Sequence, residues 1–456
     1  MAKSKGKRTY HRPAVQKVAA AKPIRLSQCM IVKNEEKNIE KALSWAKGVA
    51  FEQIVVDTGS TDRTVEIAES MGAKVYHFEW INDFSAAKNY AIEQATGNWI
   101  AFLDADEYFP EKDVKTLMVL LRQVESDPML RKLKAAIRCP IANIDDKGKP
   151  FLVVKQDRVF RNVPEARYTG KIHEILLAPD PCMNAPELTI IHTGYSQSVY
   201  AETGKAYRNV DMIREELSRD PDNASLKCYL ADSLRATNEK PDIEEAEKLY
   251  REALDDGDLS VMAEQKQGAY NYLIANYFED PKKEEENYDL CVRAYDEFPN
   301  NPDFCFYYGR KLHMKEDYHA AWEKFIECEK LLMKDTVGMG GYTLKNPLML
   351  FFQMTLTAEE LGNMSEVIRC ATLALKEDKY QLGMLAPYID AFSRPGYETP
   401  VDDIFEVLSK LYDFNEVKDK LTVMRAAKTT GNSQLLAKVL SAFTPEELKW
   451  LTEAPE

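Results

Sequence analysis

The chain has 456 residues and a formal net charge of −14, so it has room for two or more domains with full apolar cores. The acidic balance argues against a general nucleic-acid-binding protein, because neutralising phosphates requires a basic surface. No apolar run approaches the ~18 residues of a membrane span, and the N-terminus lacks the apolar core of a signal peptide.

The eight cysteines are scattered and form no CxxC pair. This pattern predicts neither a disulfide framework nor a structural zinc site, and we expect a reduced, cytoplasmic protein. Residues 1–25 hold eight lysines or arginines and no acidic residue. We predict a solvated, disordered tail there, with an arm for an anionic partner as the alternative.

From residue 26 onward, three apolar segments each end in acidic or amide residues: Leu26–Val32, Gln53–Val56 and Trp99–Leu103. Amphipathic segments near 36–47, 63–71 and 83–96 have the spacing of helices, and a further strand is predicted near 74–78. This is a βαβαβ pattern, in which ligands bind outside the carboxyl ends of the strands. Asp57, Asp104 and Asp106 would therefore line one edge of the sheet.

The pattern changes further along the chain. After a helical stretch near 111–133, the segments 135–143 and 151–161 predict an antiparallel hairpin, and 188–192 predicts another strand. From about 200 the sequence is typical of helices throughout. Gly309, Ala321, Phe325 and Cys328 have the offsets of a tetratricopeptide-type (TPR-type) helix pair. Looser versions occur at 231–253 and 361–375, and an irregular helical bundle is the alternative.

Asp104 and Asp106 form a D-x-D at the end of a buried strand, where both carboxylates can face one side of the crevice and share a divalent cation with a diphosphate. The alternative for such a triplet is a helix cap or surface turn. Asp57 could accept a hydrogen bond from a base N–H, and Gly59 would let the turn approach a ligand closely.

The segments MIVKNE (30–35), DTGSTD (57–62), DFSAAKN (83–89) and FLDADE (102–107) resemble the nucleotide-sugar-binding motifs of family 2 glycosyltransferases. With the helical repeats behind them, the chain is similar to the branch that includes glycosyltransferases of bacteriocin peptides. The resemblance implies a GT-A domain, Rossmann-like with a mixed, mostly parallel sheet, over 26–200. An all-α TPR-like domain would follow over 201–456.

The resemblance also implies roles for individual residues. Asp106 and His192 would bind Mn²⁺ or Mg²⁺, and Glu174 would be the catalytic base of an inverting transfer. His173 could steer the diphosphate or be structural, and Arg158 and Arg161 could pair with phosphate or with nearby acidic residues. The donor-binding residues would be Asn34, Glu35, Asp57, Gly59, Lys88, Asp104 and Arg158. Lys88 stands where the family usually has an arginine, so it would offer charge without the planar fork.

The implied donor is a nucleotide-sugar, with uracil as the expected base, and the implied acceptor is a peptide or protein bound by the repeats. A homodimer through the repeats is a further expectation. Tyr307, Tyr308 and Trp322 could contact a groove but have the spacing of core residues. A polysaccharide or lipid-linked acceptor is one alternative, and a non-enzymatic scaffold with a relict domain is another. A nucleotidyltransferase is disfavoured, because the first strand is followed by Lys33-Asn34-Glu35-Glu36 instead of a glycine-rich loop.

Overall fold

The computed structural model describes residues 23–133, 135–177, 181–194, 205–255, 263–334 and 346–453. Most of the predicted basic tail, residues 1–22, lies outside the described residues. The chain divides into two compact units, one ending at Ser218 and the other beginning at Arg219. The predicted domain limits at residues 25 and 200 stay predictions.

The first unit contains eleven described strands. They are β1 (Leu26–Val32), β2 (Glu52–Asp57), β3 (Lys74–His77), β4 (Trp99–Phe102), β5 (Glu107–Tyr108), β6 (Ala136–Ile144), β7 (Pro150–Arg161), β8 (Arg167–Thr169), β9 (Ile175–Leu177), β10 (Cys182–Asn184) and β11 (Ile190–His192). Nine form one sheet in the order β3-β2-β1-β4-β7-β6-β11-β5, with β10 beside β6, and β8 pairs with β9 separately. Strands β1 to β4 are parallel, whereas β7 runs antiparallel to both β4 and β6. The predicted mixed sheet and its β6–β7 hairpin are confirmed.

The helices of this unit are α1 (Ile39–Ser44), α2 (Thr64–Ser70), α3 (Phe84–Gln94), α4 (Glu111–Ser126) and α5 (Lys205–Arg219), with a 3₁₀ turn at Leu130–Lys132. Helix α3 begins where Asp83 accepts a hydrogen bond from the Ala86 N–H, as an N-cap residue does. Helix α1 is shorter than the predicted 36–47. The N–H groups of Glu35 and Glu36 donate to the side chains of Thr64 and Asp62, and these bonds join the loop after β1 to the loop after β2.

The strand register brings the predicted polar residues to one edge. Val32 of β1 pairs with Asp57 on one side, and Cys29 pairs with Phe102 on the other. Every residue of β4 is fully buried, as expected for a strand covered on both faces. The ends of β2 and β4 therefore flank the end of β1, with Asp57 on one side and Asp104, which follows β4, on the other.

The described part of the second unit is helical. Its helices are α6 (Ala224–Arg235), α7 (Lys240–Asp255), α8 (Ala263–Tyr277), α9 (Glu284–Glu297), α10 (Pro302–Met314), α11 (Tyr318–Met333), α12 (Pro347–Glu360), α13 (Met364–Glu377), α14 (Leu382–Ala391), α15 (Val401–Leu408), α16 (Val417–Thr429), α17 (Ser433–Leu440) and α18 (Pro445–Glu453), with a 3₁₀ turn at Pro281–Lys283. The sequence prediction of an all-helical second half is confirmed for these residues.

The predicted repeat positions lie at helix–helix contacts. A Cβ on Gly309 of α10 would come within 2.7 Å of the Phe325 ring of α11, so the small residue allows the two helices to approach. Ala231, Ala246, Tyr250 and Ala253 are likewise buried on α6 and α7. Tyr307 is buried against Phe278 and Phe306, as its helical spacing indicated.

All eight cysteines are free thiols in the described residues. Within the described ranges, none of the helices combines the length and apolar character needed to cross a bilayer.

Candidate active site

Asp57 ends β2 and organises the turn that follows it. Its carboxylate accepts hydrogen bonds from the N–H groups of Gly59 (3.2 Å) and Ser60 (3.0 Å), and it lies 3.4 Å from His77 Nδ1 on the neighbouring strand. Gly59 has φ +107°, and a Cβ there would meet no atom within 4 Å. The turn thus presents a carboxylate beside an open backbone, which suits a flat ligand with an N–H donor.

The predicted residues Asn34 and Glu35 hold the first two loops together. Asn34 has φ 56°, its N–H binds Ser60 Oγ (2.9 Å), and its Oδ1 accepts from the Thr61 N–H (2.8 Å). Glu35 Oε2 accepts from the Asn38 side chain (2.7 Å). Both residues therefore shape the loop beside Asp57, and their predicted direct contact with the donor stays a prediction.

Lys88 lies at the centre of the site. Its Nζ is 3.1 Å from Asp104 Oδ1 and 2.6 Å from Glu174 Oε1. The ammonium is buried and packs over the rings of Phe102 and Tyr168. Burial alone would lower the pKa of Lys88, but the adjacent negative charges of Asp104 and Glu174 raise it well above its usual range. Lys88 is therefore a permanent cation linking the predicted donor residue to the predicted base.

Helix α3 holds the segment that carries Glu174 in this position. The Phe84 N–H donates to the Lys171 carbonyl (2.9 Å), Ser85 Oγ donates to the Gly170 carbonyl (2.6 Å), and Asn89 exchanges two hydrogen bonds with the Tyr168 backbone. The same helix that carries Lys88 thus fixes the segment that carries Glu174. Within the described residues, Oε2 of Glu174 has no hydrogen bond, which leaves it available to an acceptor proton.

His173 precedes Glu174 with a φ of 53°. Burial lowers the pKa of His173 to about 4, against the opposing charge of Glu174. The imidazole is therefore neutral near pH 7, which supports a structural role over a cationic contact with diphosphate.

Arg158 forms the second ion-pair centre. Its Nη2 lies 3.0 Å from Asp104 Oδ2 and 2.6 Å from Glu107 Oε1, while Glu107 Oε2 accepts from the Asp104 N–H (3.0 Å). Burial raises the pKa of Glu107, and Arg158 opposes that effect. Arg161 instead pairs with Glu125 and stacks on Trp99, so of the two alternatives for this residue the acidic partner is correct.

Asp106 is enclosed by the end of β11. His192 Nε2 lies 3.4 Å from Asp106 Oδ2, and Thr193 donates its N–H to the Asp106 carbonyl (3.1 Å). A Cβ on Gly194 would overlap Asp106 Oδ2 and lie 2.8 Å from His192 Nε2. Three consecutive residues therefore fit closely around Asp106, and the third must be a glycine.

Two residues of this region escaped the sequence reasoning. Asn143 Oδ1 lies 2.6 Å from His192 Nδ1, although 49 residues separate them, and Glu107 pairs with His192 in the strand register. Glu107 directly follows the D-x-D, so its position was a usable signal. Asn143 lies in a hairpin strand without a motif of its own.

The Asp106–His192 pair fits a divalent cation as two of its ligands. Carboxylate oxygen and imidazole nitrogen suit Mn²⁺, and a ligating histidine usually donates its other N–H to a fixed acceptor. His192 Nδ1 lies 2.6 Å from the Asn143 amide oxygen. In the described ranges, no group of three histidine, cysteine or acidic residues could hold a metal alone. Donor phosphate oxygens and water would supply further ligands, as is common for Mg²⁺ sites.

Residues 27–127 match the model of glycosyl transferase family 2. A TPR repeat-containing protein of Synechococcus elongatus is 34% identical over 51% of this chain and 57% of its own length. The SPbeta prophage-derived glycosyltransferase SunS of Bacillus subtilis is 31% identical over 42% of this chain and 45% of its own length. The solved structure of S. aureus TarS with UDP has 17% identity and a TM-score of 0.29, covering 64% of this chain and 92% of that one.

The chain spans about half the length of these two curated relatives. The match to the family model includes Asp57, Lys88, Asp104 and Asp106 and stops before Arg158, Glu174 and His192. The chain thus carries a family 2 glycosyltransferase domain, and the later residues of the site are assigned from their geometry.

Proposed function

We propose that this chain, with its family 2 glycosyltransferase domain, is a metal-dependent inverting glycosyltransferase that moves a sugar from a uridine-diphosphate sugar to a peptide or protein side chain. The observation that carries the proposal is the Asp104–Lys88–Glu174 bridge, which joins the D-x-D of the matched domain to a second carboxylate of suitable chemistry. A relict domain would have no need to keep these buried charges paired and correctly spaced.

Asp57 would select the base of the donor. A carboxylate accepts hydrogen bonds only, so it favours a base that presents a ring N–H, as uracil does. The Gly59 turn beside it would let the backbone approach the base closely. Asp104 would contact the ribose or the metal, on the neighbouring strand end.

The charges of the site support metal dependence. Lys88 and Arg158 are the cations, and Asp104, Asp106, Glu107 and Glu174 are the carboxylates around them. Asp104, Glu107 and Glu174 already pair with these two cations, whereas Asp106 lies beside His192. A diphosphate entering this pocket would meet the Asp106 carboxylate, and a divalent cation at Asp106 and His192 would offset the repulsion.

The transfer step follows from the position of Glu174. Its carboxylate would accept the proton of the acceptor hydroxyl or thiol as that oxygen or sulfur forms a bond to C1 of the sugar. The C1–O bond to the β-phosphate breaks, and its electron pair leaves with the nucleoside diphosphate. A bound cation would stabilise the negative charge that develops on this leaving group. Lys88 would hold Glu174 in place through the 2.6 Å contact.

The helical unit would supply acceptor recognition. Stacked helix pairs expose an extended surface on which a peptide segment can bind, and the resemblance to peptide-modifying glycosyltransferases supports this acceptor class. Self-association through the same unit stays a prediction. A chain ending at Ser218, checked for folding by circular dichroism, should still release nucleoside diphosphate slowly but should lose transfer to the acceptor.

The proposal is tested with a panel of nucleotide-sugars. The full chain should release a nucleoside diphosphate from one donor with Mn²⁺ and not with a chelator, and mass spectrometry should then identify a modified peptide. Failure to bind or cleave any donor would instead favour a scaffold with a relict domain. Transfer to a polysaccharide or lipid-linked sugar would contradict the peptide acceptor alone.

A further inference from the structure

Asn143 is a fully enclosed amide next to the Asp106–His192 pair. It lies on β6, is 1% exposed, and is the strand-register partner of His192 on β11. Its Oδ1 is 2.6 Å from His192 Nδ1. Neighbouring backbone positions on two paired strands therefore set this side-chain contact, which leaves the imidazole little freedom to rotate.

The contact determines which ring nitrogen of His192 carries a hydrogen. With the amide oxygen of Asn143 facing it at 2.6 Å, Nδ1 is the nitrogen that donates its N–H in this contact. In the neutral imidazole the other nitrogen, Nε2, then faces Asp106 Oδ2 with its lone pair at 3.4 Å. A proton on Nε2 or a divalent cation between the two atoms offsets their repulsion, and both atoms are suitable metal ligands.

We propose that Asn143 is a positioning residue for the divalent cation: its amide oxygen fixes His192 in the tautomer and orientation that direct Nε2 to the ion. The inference rests on the proposed function, since it takes the Asp106–His192 pair to be the metal site. Asn143 does not touch the ion itself. It acts through the imidazole, as the outer hydrogen-bond partners of metal-bound histidines do.

Two substitutions separate this role from simple packing. Asn143→Leu keeps the branched shape and the number of heavy atoms and removes the acceptor. Asn143→Asp, when ionised, keeps an acceptor and has no donor. It then preserves the Nδ1–H bond and disrupts the reverse arrangement, in which the amide would donate to Nδ1. His192→Ala serves as the reference for complete loss of the imidazole.

The experiment measures Mn²⁺ binding to the full-length chain in the presence of saturating UDP, with free Mn²⁺ followed by electron paramagnetic resonance. Pulsed measurements on the same samples detect the ¹⁴N coupling of a Mn²⁺-bound imidazole. Circular dichroism and thermal unfolding confirm that each variant is folded. We expect Asn143→Leu to bind Mn²⁺ about 10–100-fold more weakly and to lose the ¹⁴N coupling, as His192→Ala does. Asn143→Asp should retain the coupling, whatever its added charge does to affinity.

Wild-type affinity and coupling in Asn143→Leu would overturn the inference, and so would loss of the coupling in Asn143→Asp. Mn²⁺ binding by the wild type without ¹⁴N coupling would overturn it too, while leaving metal dependence in place. If the wild type bound no Mn²⁺ with UDP, this inference and the metal requirement of the proposed function would both be wrong. If Asn143→Leu does not fold, the ¹⁴N coupling measured for Asn143→Asp is the test of the inference.

Discussion

Lys88 joins two carboxylates that come from distant parts of the chain: its Nζ lies 2.6 Å from Glu174 Oε1 and 3.1 Å from Asp104 Oδ1. Because the ammonium is buried, the ion pairs are little screened by solvent, and neither carboxylate can move far without leaving a buried charge unpaired. Lys88 therefore stabilises the positions of both Asp104, a predicted donor-binding residue, and Glu174, the predicted base.

Replacing Lys88 by methionine should therefore damage both stability and transfer. Removing one partner of a buried ion pair typically costs about 3–5 kcal/mol, so the melting temperature should fall clearly. Lys88→Arg keeps the charge and is the matched control. It should remain folded and bind donor, with a reduced rate because the guanidinium is larger. Equal melting temperatures for Lys88→Met and wild type would show that the bridge does not support the site.

Glu174→Gln should separate donor binding from chemistry. The amide keeps the shape of the side chain and cannot take a proton, so transfer should fall by about 10²–10⁴-fold while the Kd for the nucleotide-sugar changes little. Single-turnover transfer and calorimetry measure the two quantities. Loss of donor binding with an unchanged transfer rate would assign Glu174 to the donor site instead.

Gly194→Ala should disturb the carboxylate of Asp106, since the added Cβ would overlap Oδ2. A displacement of about 1 Å at a reacting centre can cost on the order of 10²-fold in rate, and we expect a loss of this size in metal-dependent donor cleavage. Gly268→Ala is the matched control, because a Cβ at this helical glycine meets open space. It should leave the rate unchanged and slightly stabilise its helix. A fully active Gly194→Ala would mean that Asp106 need not hold this position.

The acid stability of the first unit should depend on Glu52. Burial would raise the pKa of Glu52, but hydrogen bonds from Lys74, Thr96 and Ser27 outweigh it and lower this pKa to about 2. A folded-state pKa below the unfolded value contributes stability that is present above about pH 4.5 and is lost as the pH falls toward 2. The full contribution is about 3 kcal/mol.

Hydrogen exchange of the β1 and β2 amides at pH 6 and pH 3 tests this point in the wild type and in Glu52→Gln. The wild type should lose protection of these strands between the two pH values more steeply than Glu52→Gln does. The same pH dependence in both proteins would contradict the assignment.

Seven strands of the first unit's sheet could be predicted from sequence because their signals are local, whereas β5 and β10 were not predicted. The segment Leu26–Val32 is a strand with the predicted limits, since its apolar run and the turn residues after it lie within a few positions. Helix α1 was predicted too long, because its first predicted residues form a turn in which the Asn38 N–H donates to the Glu35 carbonyl, and contacts from Asp62 and Thr64 hold this turn to the next loop. Local periodicity carries no information about such contacts.

The residues of the candidate site that belong to sequence motifs could be predicted. Those that strand pairing brings together could not. Asp104 and Asp106 follow a buried strand directly, so their position could be inferred. Asn143 contacts His192 only because β6 and β11 pair in one register, and no spacing along the chain specifies that register. The sequence analysis also did not predict that Lys88 would contact both Asp104 and Glu174. This arrangement depends on the hydrogen bonds by which α3 holds the segment before Glu174.

The most direct test of this account is the release of UDP from a panel of UDP-sugars by the full-length chain, with Mn²⁺ or with chelator, for wild type and Asp106→Ala. The account predicts slow release from at least one donor by the wild type with Mn²⁺, and none with chelator or from Asp106→Ala. Release that survives both chelation and the loss of Asp106 would contradict a metal-dependent transfer centred on this carboxylate.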